Sequence, residues 1–147
     1  MVPDVDVIGF LFGVRYGDMF GHRGFTHSIV FALVFSGIAT AAYPGKGRET
    51  GWRTLWLYLF IATISHAVLD AFTNGGLGVA FFSPFSNHRY FFPWTPIQVS
   101  PIGVGFFSPQ GLGVIKSEAV WIWLPSLAFV LVILVASKLF ARKLPRN

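Results

Sequence analysis

The 147 residues are 54% hydrophobic and only 12% charged, with a mean hydropathy of +0.63, whereas soluble domains carry about 25% charged residues. That composition excludes disorder and an ordinary soluble domain, and the length allows a single domain. The absence of cysteine excludes disulfides, thiolate metal sites and a Cys nucleophile. A net charge of +5 does not point to nucleic acid, because the basic residues bracket apolar stretches instead of interleaving along a binding face. Aromatic residues at 18%, with Phe 17 and Trp 5, suit a chain that meets lipid and its interfaces. The class is all-α: a polytopic helical membrane protein whose first partner is the lipid bilayer.

In chain order, residues 1–25 are polar and Gly-rich and read as a loop with one short apolar segment, Val7 to Val14. They lack the basic start and small-residue cleavage site of a signal peptide. Three transmembrane helices follow, since a bilayer core needs about 20 apolar residues as helix. The first spans residues 26–43, without charge between His27 and Lys46. The second spans residues 52–73 and is apolar except for His66 and Asp70. The third spans residues 119–140 and is uncharged from Ala119 to Ser137; Pro125 in its first turns is expected to kink it mildly. Between the last two lies a long Gly/Pro/Phe-rich outer loop, residues 75–118. Its punctuation (Gly75-Gly76, Gly78, Pro84, Pro93, Pro96, Pro101, Pro109, Gly111) argues against long helices. Short extended pieces are expected at Arg89–Phe92 and Ile97–Ser100. A long apolar loop of this kind often caps a site.

Basic residues set the orientation. Lys46, Arg48 and Arg53 in the first connection, with Lys138, Arg142, Lys143 and Arg146 in the tail, make seven of the eleven Lys and Arg residues. The first loop and the C-terminus are therefore expected in the cytoplasm of a plasma (inner) membrane protein. Arg15, Arg23, Arg89 and Lys116 are spread over the two longer outward regions. The basic tail reads as contact with anionic headgroups.

Three polar pairs carry the candidate chemistry: Asp4-x-Asp6, His22-x4-His27 and His66-x3-Asp70. Residues four apart share a helix face, so His66 and Asp70 point the same way. Ionisable residues inside a span are costly unless paired, ligated or lining a wet cavity. All six groups fall on the outer side and are able to meet at one membrane depth. Three imidazoles and three carboxylates without sulfur suit Zn, Mn, Fe or Ni, enough for one ion with an open position or for two sharing carboxylates. The bland alternative is a His–Asp hydrogen bond that ties two helices together.

Other residues have two readings each. Thr26 and Ser28 are N-cap hydroxyls of the first span or, in the second reading, nucleophiles. Asn74, one turn beyond Asp70, orients a ligand or caps the helix. His88 and Arg89 bind an anionic substrate group, phosphate above all, or sit at the interface beside Tyr90. Glu118 supports the site from behind or is a helix-start charge. No Gly-x-Ser-x-Gly elbow, Walker loop or dinucleotide fingerprint occurs.

Val2-Pro3-Asp4-Val5-Asp6, then His22-Arg23-Gly24-Phe25-Thr26-His27-Ser28, then Ser65-His66-Ala67-Val68-Leu69-Asp70 closely resemble the bacterial family of predicted membrane-bound, metal-dependent hydrolases of the inner-membrane, LexA-regulated type. Arg89-Tyr90-Phe91-Phe92-Pro93-Trp94, Val99-Ser100-Pro101-Ile102-Gly103 and Glu118-Ala119-Val120-Trp121 extend the resemblance over nearly the whole chain. It implies a helical inner-membrane protein with metal ligands at Asp4, Asp6, His22, His27, His66 and Asp70. Family members usually open with another apolar helix bearing a His. Here Met1 directly precedes the Pro-Asp-x-Asp motif, so a truncated copy or a late start is expected.

The leading function is a hydrolase using a divalent metal ion, Zn or Mn first, on an amphiphilic ester or phosphoester such as a lipid or phospholipid. Asp18 or one of the Asp4/Asp6 pair is the candidate general base, and Asp70 counts with Asp18 among the catalytic carboxylates. The competing readings are a metal-binding or transport protein without turnover, and a structural membrane subunit. Metal analysis separates the structural reading from the other two, and turnover lost in His66→Ala separates the hydrolase from the metal binder. The metal reading expects His22, His27, His66 and Asp70 to converge, with Asp4 and Asp6 reaching them from the N-terminal loop.

Overall fold

The computed structural model describes residues 2–44 and 51–143; Lys46, Arg48 and Arg146 of the charge argument lie outside the described residues. Among the described residues the named elements are all helical, and an isolated antiparallel bridge pairs Val79 with Tyr90. The chain divides into two compact units, Met1–Thr95 and Pro96–Asn147.

The first unit opens with a 3-10 helix, Pro3–Phe12, with proline in its first turn and Gly13 closing it at φ +80°. A second 3-10 turn, Phe25–His27, leads into α1, Ile29–Ala42. The first span therefore becomes α-helical three residues later than its apolar run begins. Ser28 accepts a hydrogen bond from the Phe31 N–H at 3.0 Å and so caps the helix, as its hydroxyl allows. Thr26 does not cap; its hydroxyl is used elsewhere. At the other end Tyr43 turns extended ahead of Pro44, the conformation a residue before proline prefers. The 14 residues of α1 cover about 21 Å at 1.5 Å each, short of a full bilayer core of about 30 Å.

Helix α2, Trp52–Ala71, has 20 residues, and is long and apolar enough to cross a membrane. It packs against α1. The residues that α1 buries are Ala32, Ser36 and Thr40, four apart and therefore on one stripe. Small side chains in such a stripe let helix backbones approach closely where no water drives association. Ser36 satisfies its hydroxyl by donating to the Ala32 carbonyl at 2.6 Å.

Past α2 the chain is irregular, and it laces the two helix ends together. Phe92 N–H donates to the Ala71 carbonyl, Ile29 N–H to Phe81, and Ala80 N–H to Arg23, at 2.9, 3.0 and 3.0 Å. Ala67, Ala71 and Val79 form the buried core of this junction, with Ile64 and Phe81 against it.

The second unit holds a 3-10 helix, Gly103–Phe107, then α3, Pro109–Glu118, a π-helical turn, Ala119–Trp123, and α4, Leu124–Lys143. Helical structure begins at Pro109, inside the segment whose Gly and Pro content argues for a loop. Proline at a first helical position has no intrahelical N–H to lose. The helix from Pro109 to Leu139 is long and apolar enough to cross a membrane, and its most apolar 18-residue window has no buried residue, as in a lipid-facing helix. Gly111 and Val114, in its first turns, are buried. The π turn ends just before Pro125. Proline lacks an N–H and crowds the carbonyl four residues back; one wider turn is how a helix absorbs that.

Candidate metal centre

The centre is built by four pieces of the first unit: the opening 3-10 helix, the 21–27 turn, the last turns of α2 and the residues just after it. In a 3-10 helix each residue advances about 120°, so Asp4 and Asp6 point in different directions. They reach opposite sides of one ring, that of His27. Asp4 Oδ1 stands 3.5 Å from His27 Nε2, and Asp6 Oδ2 stands 3.2 Å from His27 Nδ1.

On the Nε2 side, α2 brings His66 and Asp70 in on one face, as their spacing requires. His66 Nε2 is 3.1 Å from Asp4 Oδ1 and 3.6 Å from Asp70 Oδ2; His27 Nε2 is 3.1 Å from Asp70 Oδ2. The donor atoms of Asp4, His27, His66 and Asp70 all lie within 4.8 Å of one another. Donors about 2.1 Å from a zinc-sized ion in a tetrahedral shell stand about 3.4 Å apart, close to these separations. His27 Nε2 and Asp70 Oδ2 are buried and take up no hydrogen bond. Buried polar atoms are rarely left so, and two of them facing each other with two more donors beside them fit a cation.

On the Nδ1 side Asp6 is fully occupied by protein. Oδ1 lies 2.8 Å from His22 Nδ1, and Oδ2 accepts from the Thr26 hydroxyl at 2.6 Å and from the Arg23 N–H at 3.1 Å. Asp6 thus orients His27 in the manner of the carboxylate behind a metal-bound histidine. His22, His27 and Asp6 also form a donor group of their own. Burial pushes the carboxyls of Asp4 and Asp6 up, but hydrogen bonds outweigh it and hold both well below the usual carboxylate range. The partners are His27 and His66 for Asp4; for Asp6 they are His22, His27 and Thr26.

The turn that delivers His22 and His27 depends on glycine. A Cβ on Gly21 would stand 2.1 Å from the Arg15 carbonyl oxygen, and one on Gly24 2.2 Å from that of Met19. Between them Arg23 is left-handed at φ +62° and only 4% exposed.

Arg23 itself was not among the sequence candidates, yet it binds the centre directly. Its NH2 lies 3.1 Å from Asp70 Oδ1, while NH1 donates to Thr73 Oγ1 at 2.8 Å and to the Gly75 carbonyl at 3.1 Å. The signal available was its place inside the His-Arg-Gly-x-Thr-His-Ser string.

The remaining candidates are placed elsewhere. Asp18 is bound by Arg15 through backbone and guanidinium, bonds that lower its pKa, and it does not join either donor group. The Arg89 guanidinium is taken by four carbonyls, those of His22, Gly78, Tyr16 and Asp18, at 2.9, 3.4, 3.0 and 3.1 Å. It clamps the N-terminal loop. His88 is exposed, with its ring edge-on to Tyr90. Asn74 is exposed beyond α2; the hydroxyl that orients the neighbourhood of Asp70 is that of Thr73, which donates to the Asp70 carbonyl at 2.7 Å. Glu118 is the last residue of α3, in the second unit.

Apolar helices with a His/Asp cluster at their ends define the class as a helical membrane protein. Its family is clear from comparison: the model described as YdjM inner membrane protein matches residues 1–142, and the chain belongs to that inner membrane protein family. It is 44% identical over 128 residues to the inner membrane protein YbcI of Escherichia coli K12, covering 86% of this chain and 73% of YbcI. It is 38% identical over 64 residues to the uncharacterized protein YvsG of Bacillus subtilis 168, covering 44% of this chain and 36% of YvsG. No solved structure matches the chain.

Proposed function

We propose that this inner membrane protein is a metal-dependent hydrolase acting on an amphiphilic ester or phosphoester at the outer membrane face. The observation that supports this reading is the pair His27 Nε2 and Asp70 Oδ2, buried, 3.1 Å apart and without a hydrogen bond. Asp4, His27, His66 and Asp70 are the residues that would hold a divalent ion, and their nitrogen/oxygen set suits Zn or Mn. Such an ion, when bound, supplies Lewis-acid polarisation of an ester or phosphoryl oxygen.

The chain's own residues supply the rest. Asp6 keeps His27 turned with Nε2 toward the other donors, and Arg23 holds Asp70 by Oδ1. Asp4, with its side chain 35% exposed, is the most open of the carboxylates that would hold the ion. The centre sits where α1 begins and α2 ends, at the rim of the apolar helices, which favours a substrate with a lipid part. In this reading α1 with its preceding turn, α2 and the Pro109–Leu139 helix are the three spans. The C-terminus and the Lys46–Arg53 connection lie in the cytoplasm; a reporter fused after Asn147 and active only on the outer side overturns that orientation.

Two measurements on detergent-purified protein test the activity. Elemental analysis is expected to find a divalent metal that is lost in His66→Ala. Turnover of a phosphodiester or lipid ester is expected to disappear in the same variant. Metal without turnover of either ester class makes the protein a metal-binding or transport protein, and no metal in the parent leaves a structural His–Asp pairing.

A further inference from the structure

We infer that Arg23 is a positioning residue that restricts Asp70 to a single ligating oxygen, an inference that rests on the metal reading above. The two oxygens of Asp70 are treated differently: Oδ1 is 3.1 Å from Arg23 NH2, whereas Oδ2 is buried without a hydrogen bond and faces His27 Nε2 at 3.1 Å. A carboxylate free at both oxygens can close on a cation with either or both of them. Here the ion pair with the guanidinium occupies one of them.

Arg23 is itself immobilised from three directions. Its NH1 is tied to Thr73 Oγ1 and to the carbonyls of Gly75 and Asp70, at 2.8, 3.1 and 3.3 Å. Its backbone N–H donates to Asp6 Oδ2 and its carbonyl accepts from Ala80 N–H, at 3.1 and 3.0 Å. Through one buried residue the carboxylate that orients His27 is linked to the carboxylate that faces it. The left-handed backbone at this position is what allows the N–H to reach Asp6 while the side chain runs to the end of α2.

The sign of one substitution separates positioning from simple charge balance. Removing a cation next to a metal centre strengthens metal binding if only charge matters, because one repulsion is gone. If the guanidinium positions Asp70, binding weakens instead, since losing a supporting partner of a metal ligand typically costs about 10–100-fold in affinity. Co2+ is the probe, because its visible absorption weakens as coordination number rises. In detergent-solubilised full-length protein, Arg23→Gln is expected to bind Co2+ about 10–100-fold more weakly, with a weaker visible band from an Asp70 free to ligate through both oxygens. Arg23→Lys, keeping one charged donor, is expected to restore part of the affinity. Thr73→Val removes the tether but keeps the charge, and is expected to move both readouts the same way by less; it decides the matter if Arg23→Gln does not fold. Unchanged or tighter Co2+ binding with an unchanged band in the folded variant overturns the positioning role while the metal reading stands. A parent protein that takes up no Co2+ overturns both.

Discussion

Asp6 and His27 meet through Oδ2 and Nδ1 at 3.2 Å, on the side of the ring opposite the nitrogen that faces Asp4 and Asp70. Together with the Thr26 hydroxyl, 3.1 Å from the same Nδ1, that contact sets which way the buried imidazole points. Asp6→Asn keeps the shape but replaces one oxygen by an NH2 group. It then meets either His22 or the Thr26 hydroxyl and Arg23 N–H, donors by necessity in the case of the N–H. We predict metal affinity about 10–100-fold lower in Asp6→Asn, measured by competition with a chromophoric chelator, with metal restored at high concentration because the four facing donors are still present.

The same residue gives the metal-free protein a pH dependence of known sign. Asp6 is faced by His22, His27, the Thr26 hydroxyl and the Arg23 N–H, and its folded pKa lies below the ordinary value of 3.8. A depressed carboxyl contributes stability that is complete above the unfolded pKa and is lost as pH falls toward the folded one. With metal chelated, the parent is predicted to lose more thermal stability than Asp6→Asn between about pH 5 and about pH 3. Parallel curves for the two proteins would count against the contribution.

Part of this centre is legible in the sequence, and the reason is periodicity. His66 and Asp70 are four apart in an uninterrupted apolar run, and only a helix satisfies that run, so their shared face follows. The division of labour between Asp4 and Asp6 is not legible in the same way. It arises from the phase of a 3-10 helix, and Pro-Asp-x-Asp looks the same whether the two carboxylates share one ion or straddle one ring. Arg23 escapes for a related reason: an arginine in a polar, Gly-flanked string reads as an outward charge until the left-handed turn carries it inward to Asp70. The helical start at Pro109 also escapes, because Gly and Pro are read as punctuation even where proline opens a helix.

Ser28 offers a test of the local structure that delivers His27. Its hydroxyl caps α1 at Phe31, and it is buried at 1% exposure. Ser28→Ala is predicted to cost about 0.5–2 kcal/mol of stability, read as a lower thermal unfolding midpoint in detergent. Thr26→Ala is predicted to behave differently, because its hydroxyl serves Asp6 and not the helix. The two are separated by metal content, which is expected to fall in Thr26→Ala and to change little in a Ser28→Ala protein held below its midpoint.

Asp18 and Asp70 make the sharpest contrast, since both are candidate catalytic carboxylates on sequence grounds. Asp18 spends its oxygens on Arg15 at the surface, in a pair 86% and 36% exposed, and exposed pairs of this kind are worth little. Asp70 is 15% exposed, held by Arg23 through one oxygen and facing two imidazoles with the other. Asp18→Ala is therefore predicted to leave metal content and turnover within about twofold of the parent. Asp70→Ala is predicted to abolish both, and to destabilise the fold by leaving the Arg23 guanidinium buried without its carboxylate, a loss typically about 3–5 kcal/mol when one partner of a buried pair is removed. Asp70→Asn retains the volume and an acceptor for Arg23, so it is expected to recover much of the stability while remaining metal-poor. A metal content in Asp70→Asn equal to that of the parent would remove Asp70 from the ligand set and leave Asp4, His27 and His66 to account for the centre.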